Sequence, residues 1–371
     1  MHRLSRRNCQ NMETVVPCSA FALEGNVCAC QRYGSGHINA TYRLTTDRGR
    51  AYILQQINRV AFREPVAVME NVIAVIRHLR ERVDDPRGTL QLVPTRDGRD
   101  YLLTAEGDCW RVYRFIDGSI CLDAAKTPED FYQSAVAFGT FQRQLSDFPA
   151  ASLHETIPDF HNTPARVEQF RAALAADACG RADSARAEID FVLQHAGEAD
   201  ALVRPLADGV LPLRVTHNDT KLNNVMLDAA TRRALCVIDL DTVMPGLTLY
   251  DYGDSIRFGA STAAEDEPDI EKVDLDLYLF ETFTRGFLAS CRSTLTEAEI
   301  ALFPMGAKLM TLECGMRFLA DYLNGDTYFR IARERHNLER CRTQFRLVAR
   351  MEDHWAEMTR IVSRLANDLP Y

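Results

Sequence analysis

No stretch of about 18 or more consecutive apolar residues occurs in the chain, so nothing in it is long enough to span a bilayer as a helix. There is no CxxC pair, and the 11 cysteines are odd in number and scattered, which argues against a zinc ribbon and against a small disulfide scaffold. Positive charge is in deficit: 43 Lys and Arg face 52 Asp and Glu, a net charge of −9. A protein that grips nucleic-acid phosphates normally carries a basic field, so no nucleic-acid partner is expected. Repeats and low-complexity tracts are also missing. What is there, 371 residues with 46% hydrophobic and 26% charged, matches a soluble globular protein of two or three units. The basic N-terminus resembles a leader only superficially, because Glu13, Pro17, Ser19 and Glu24 spoil its apolar stretch. Residues 1–20 are expected to be unstructured and the protein cytoplasmic.

Residues 21–116 read mainly as strands. Ile38, Ala40, Tyr42 and Leu44 alternate with polar neighbours, the period of a half-buried strand. Asp47-Arg48-Gly49 is a turn, and residues 51–57 form a further antiparallel strand. Pro65 opens a helix whose apolar face is Val68, Val72, Val75, Ile76 and Leu79. Strand patterns return at 90–93, 101–104 and 110–116. From residue 117 to 371 the chain turns mainly helical, starting from the cap signal Thr127-Pro128-Glu129-Asp130. A strand pair interrupts it within 213–243. The expected class is α+β: a small antiparallel β-rich lobe, then a large helical lobe.

The chemistry concentrates in LRVTHNDTKLNNVMLDAATRRALCVIDLDT, residues 213–242, which has the spacing H-x-D-x-x-x-x-N and then an apolar strand ending in Asp. Phosphoryl transfer from ATP asks little of a protein: a carboxylate to take the proton of the attacking hydroxyl, and oxygens to hold Mg²⁺ against the phosphates. Asp219 fits the first task, and Asn224 with Asp239 fits the second. Upstream, Gly34, Ser35 and Gly36 form a G-x-G turn between two strand patterns, where backbone can approach phosphates closely.

These residues, with YGSGHINATY, YILQQIN, WRVYRFI, VIDLDTVMPG, YDYGDSIRFG and MRFLADYLNGDTYF, resemble the aminoglycoside phosphotransferase/choline kinase superfamily, relatives of protein kinases. Within it the chain is similar to the N-acetylhexosamine 1-kinases, over nearly all of its length after residue ~20. The resemblance implies a bilobal protein-kinase-like fold, ATP and Mg²⁺ as cofactors, and Asp219 as catalytic base. It makes Asn224 and Asp239 the metal ligands, with Asp241 a helper, and Asp251 a brace for the catalytic loop. Residues 110–116, with Arg111 and Tyr113, would be the hinge strand against which adenine lies, binding through backbone groups. His37, Arg317 and Tyr328 would contact a sugar, phosphorylated at its anomeric C1 hydroxyl; Asp219 would face the same acceptor.

One departure stands out. Relatives place a Lys or Arg on the third strand to neutralise phosphates, whereas this strand reads Gln55-Gln56. Without that cation, Glu70 on the following helix reads as a surface residue. Other acceptors, such as an aminoglycoside or a choline-like amine, and a nucleotide-binding pseudokinase stand as the rival readings. The acids between Glu265 and Asp276 would have to serve any cationic acceptor.

Overall fold

The computed structural model describes residues 17–34 and 38–368. Its first lobe is a five-stranded antiparallel sheet in the order β1-β2-β3-β5-β4. The strands are β1 (Val27–Arg32), β2 (Ala40–Thr46), β3 (Ala51–Gln56), β4 (Leu102–Leu103) and β5 (Cys109–Arg114). Alternation sorts the side chains. Tyr52 and Leu54 of β3 face Phe21, Leu44, Trp110 and Val112 in a small separate core. Gln55 and Arg111, paired across β3 and β5, share the other face. Helix α1 (Pro65–Arg80) covers that face with Val68, Val72, Val75 and Ile76, all buried.

The expected strand at 90–93 contributes only the bridge Leu92↔Tyr113, and β5 stops at Arg114 rather than at 116. Residues 1–16 lie outside the described part. Residues 18–20, placed in the unstructured lead, form a helical turn with Cys18 buried, because Cys18 and Phe21 complete the small core.

The second lobe holds α2 (Pro128–Gln144), α3 (Thr163–Ala176), α4 (Arg186–His195), α5 (Val203–Ala207), α6 (Thr248–Gly259), α7 (Leu277–Cys291), α8 (Glu297–Ala301), α9 (Phe303–Leu323), α10 (His336–Asp353) and α11 (Trp355–Asp368). Thr127 caps α2 as the sequence suggests, in a reciprocal capping box with Asp130. Two small sheets carry the loops of interest: β6 (Ser119–Cys121), β8 (Val225–Asp228) and β9 (Ala234–Val237) in one, β7 (Arg214–Thr216) and β10 (Met244–Gly246) in the other. The first strand of the former comes from a segment that sequence alone marks as loop. Helix α6 lies so close to α9 that a Cβ on Gly253 would meet the Gly306 carbonyl oxygen at 2.3 Å. That approach sets α6, with its two acids Asp251 and Asp254, firmly beneath the loop that follows β7.

Candidate active site

The loop after β7 is held by one buried carboxylate. Asp251 is wholly buried and accepts from the backbone N–H groups of His217 (2.9 Å) and Asn218 (2.8 Å) and from Gln142 Nε2 (2.6 Å). Burial pushes its pKa up against the pull of these donors and His217. A second acid on α6, Asp254, accepts from the Thr220 N–H and pairs with Arg257. Arg257 therefore goes to Asp254 and Glu265, not to Asp251. His217 takes no part in chemistry at its ring nitrogens: Nδ1 accepts from the Asp219 N–H at 3.3 Å, which leaves Nε2 to donate to the Ile238 carbonyl at 2.9 Å. The Ile238 N–H in turn donates to the Asn224 carbonyl. One residue thus ties the loop bearing Asp219 and Asn224 to Asp239, the next position in the chain.

Asp219 emerges from this brace partly exposed. Its Oδ2 accepts from Asn224 Nδ2 at 3.0 Å, and its Oδ1 meets Lys221 Nζ at 2.6 Å. Burial works against the Lys221 charge, but Asp219 and Asp254 beside it raise its pKa overall. Lys221 escapes the sequence reading, although a cation two residues beyond a candidate base is a visible signal. With its amide nitrogen committed to Asp219, the Asn224 side-chain oxygen is left to serve a metal. Asp239 follows β9 as an exposed residue in the left-handed backbone region at φ 60°. Desolvation of its carboxyl by its neighbours pushes its pKa up to about 6, reinforced by the charges of Asp241 and Asp219. An Asp under such electrostatic pressure, beside an amide oxygen, is the donor set a hard divalent cation prefers. The residues fit Mg²⁺.

The charge of Asp241 is already countered from the first lobe: Arg111 Nη1 lies 2.5 Å from Oδ1, and Asn39 Nδ2 donates to Oδ2 at 2.6 Å. Arg111 and Tyr113 also depart from expectation. Both sit inside the strand ladder, opposite Gln55 and Ile53, so their backbones are committed to the sheet. Their side chains point to the sheet face that α1 covers. The Tyr113 hydroxyl is buried with no hydrogen-bond partner among the described residues, and Arg111 is fully buried. Gly34 closes the described part of the turn after β1 at φ 81°, a backbone that favours glycine. Ser35, Gly36 and His37 lie outside the described residues. Glu70 is exposed and pairs with His154 at 2.6 Å, as a surface acid does.

Arg317 and Tyr328 are brought together. They line a cavity of about 540 Å³ between α3 and α9, with Arg166, Gln169, Asp321 and Phe329 among its walls and no catalytic-loop residue. The Arg317 guanidinium lies over the rings of Phe160, Tyr328 and Phe329 at 5.2, 5.9 and 5.5 Å, and makes no hydrogen bond or ion pair among the described residues. Arg166 gives its hydrogen bonds to neutral groups, the Phe160 carbonyl and Gln169. Burial lowers its pKa, and Arg317 lowers it further. One turn before Arg317, Glu313 accepts from Thr163 and meets His161 Nδ1 at 2.8 Å. The acids between Glu265 and Asp276 are occupied elsewhere: Glu265 on Arg257, Asp266 on Arg333 and His336, Asp274 on Arg350.

Residues 29–287 match the model of the phosphotransferase enzyme family, APH. Among solved structures the chain is similar to a microcompartment-associated aminopropanol kinase, with 17% identity, a TM-score of 0.58, and 95% and 98% of the two chains covered. It is also similar to an aminoglycoside phosphotransferase from Alicyclobacillus acidocaldarius, with 15% identity, a TM-score of 0.61 and 95% of each chain covered. A third likeness is to an amicoumacin kinase in complex with AMP-PNP, Ca²⁺ and Ami, with 14% identity, a TM-score of 0.58, and 100% and 97% covered. At these identities the likenesses speak for the fold, a β-sheet lobe joined to a helical lobe as in kinases.

Proposed function

Because the chain belongs to the phosphotransferase enzyme family, we propose that it transfers the γ-phosphoryl group of ATP, with Mg²⁺, to the anomeric hydroxyl of an N-acetylhexosamine. The observation that carries the transfer step is the convergence of Asp219, Asn224 and Asp239 through Ile238 and His217. Bound in the cleft, ATP and Mg²⁺ supply the phosphoryl group and neutralise its charge. Asp219 accepts the proton of the acceptor hydroxyl, while Lys221 and Asn224 fix the direction in which its carboxylate points. An anomeric hydroxyl is more acidic than an ordinary alcohol, so positioning contributes more than basicity. Asp251 holds that position through the loop backbone, without touching the reacting atoms.

The acceptor assignment is supported by the cavity around Arg317. Its volume suits a small molecule, and its guanidinium fork and tyrosine ring suit the oxygens and faces of a sugar. Among the described residues it offers no free carboxylate to a cationic amine. Its acid, Asp321, already accepts from the N–H groups of Thr327, Tyr328 and Phe329 and from Asn337. A cytoplasmic location accords with thiols such as Cys109, Cys236, Cys291 and Cys341 being buried as small hydrophobes. The test is ATP consumption across N-acetylglucosamine, N-acetylgalactosamine, glucose, choline and an aminoglycoside. The N-acetylated sugars should give the highest kcat/KM. Equal values for glucose and N-acetylglucosamine would overturn the acceptor assignment and leave the phosphotransferase intact.

A further inference from the structure

The missing cation of β3 has a structural answer. Gln55 stands where a phosphate-neutralising residue is expected, and its side-chain oxygen accepts from both Nε (3.0 Å) and Nη2 (2.9 Å) of Arg111 on the neighbouring strand. Thr41 on β2 fixes the same amide, accepting from Gln55 Nε2 at 3.1 Å. The guanidinium is thereby locked in orientation, and its remaining nitrogen reaches across the lobes to Asp241. Asp241 lies two residues after Asp239. Its other oxygen is held by Asn39, just beyond the glycine turn, whose side-chain oxygen accepts from the Asn58 N–H after β3. Helix α1 contributes no acid to this cluster. It offers Met69 against Arg111, and Asn71, which donates to the Val243 carbonyl after the Asp241 turn.

We propose that Arg111 is a positioning residue: from β5 it clamps Asp241 so that Asp239 faces the divalent metal. Gln55 is then part of the device and no mark of an inactive relative. The guanidinium is fully buried, and its groups are taken by Gln55 and Asp241, so it acts on the metal-bearing turn and not on the phosphates themselves. This rests on the phosphotransferase reading but not on the identity of the acceptor.

The test needs no acceptor: binding of AMP-PNP to the full chain is measured by calorimetry with and without Mg²⁺. In Arg111→Met, the Mg²⁺-dependent gain in nucleotide affinity should fall about tenfold or more, while metal-free affinity stays within about twofold. Arg111→Met leaves the buried Asp241 charge without its cation, a loss costly to the fold. Two further variants cover that case. Arg111→Gln with Asp241→Asn removes both charges and should fold while losing the Mg²⁺ linkage. Gln55→Lys with Arg111→Met returns a cation to β3 opposite Asp241 and should regain it. A folded variant lacking Arg111 with undiminished Mg²⁺ linkage would overturn the proposal. So would an equal loss of affinity with and without Mg²⁺, which would put Arg111 on the phosphates. A wild-type chain that binds no AMP-PNP would instead sink the phosphotransferase reading beneath it.

Discussion

Around the loop that follows β7, charge is matched by charge or by a donor: Asp219 by Lys221, Asp241 by Arg111, Asp254 by Arg257, Asp251 by two backbone N–H groups and Gln142. Between α3 and α9 the reverse holds. Arg317 and Arg166 face one cavity with no acid paired to either, and aromatic rings surround the first. The contrast separates two jobs. Transfer chemistry needs groups fixed before the reactants arrive, and buried, mutually satisfied networks provide that rigidity. Recognition needs unfilled hydrogen-bonding capacity that a ligand completes, which the Arg317 guanidinium beside its three rings would offer. Asp239 belongs to neither set. The charges of Asp241 and Asp219 press on it, and a bound cation would relieve that pressure.

The sharpest way to break this contrast is Asp239→Ala, which removes the charged metal ligand. Activity should fall to background at ordinary Mg²⁺, and survival of turnover would place the metal elsewhere. Asp219→Asn comes next. It preserves shape and the contact with Asn224 but not the proton-accepting charge, so kcat should drop by about two to four orders of magnitude with nucleotide binding kept. On the recognition side the effects should be smaller and confined to the acceptor. Arg317→Ala and Tyr328→Phe should lower kcat/KM for the sugar, by about tenfold to a hundredfold for the arginine, and leave KM for ATP unchanged. A change in KM for ATP alone would move that cavity from acceptor to nucleotide.

The smallest effect is a pH dependence that singles out Asp239. Its pKa is raised from 3.8 to about 6, so metal must displace a proton below that pH. Mg²⁺ affinity should be steady above pH 6 and fall by up to about tenfold per pH unit beneath it, read by titration calorimetry. In the metal-free protein the sign is that of a raised acid. The folded state holds this proton more tightly than the unfolded chain, so the group's stabilising contribution is complete below about pH 4 and is lost as pH rises through 6. Asp239→Asn should flatten both profiles.

Local pattern determined a good deal of this protein. Alternation marked β2, apolar spacing marked α1, and Thr127-Pro128 marked where α2 begins, because caps and periodicity are written in neighbouring residues. The H-x-D-x-x-x-x-N spacing and the strand-terminal Asp239 were legible for the same reason: a loop and a short strand pair hold their side chains at fixed offsets. The segments at 90–93 and 119–121 were misread because strand pairing depends on a partner distant in sequence, and β6 exists only because β8 lies beside it. Only the tertiary structure decided where the charges went. That Gln55 presents Arg111, that Arg111 crosses to Asp241, that Asn39 takes the other Asp241 oxygen, and that Arg317 lies over aromatic rings are contacts across strands, lobes and helices. A charged side chain is expensive to bury alone, so its role is set by whichever opposite group the fold delivers, and no spacing along the chain records that delivery.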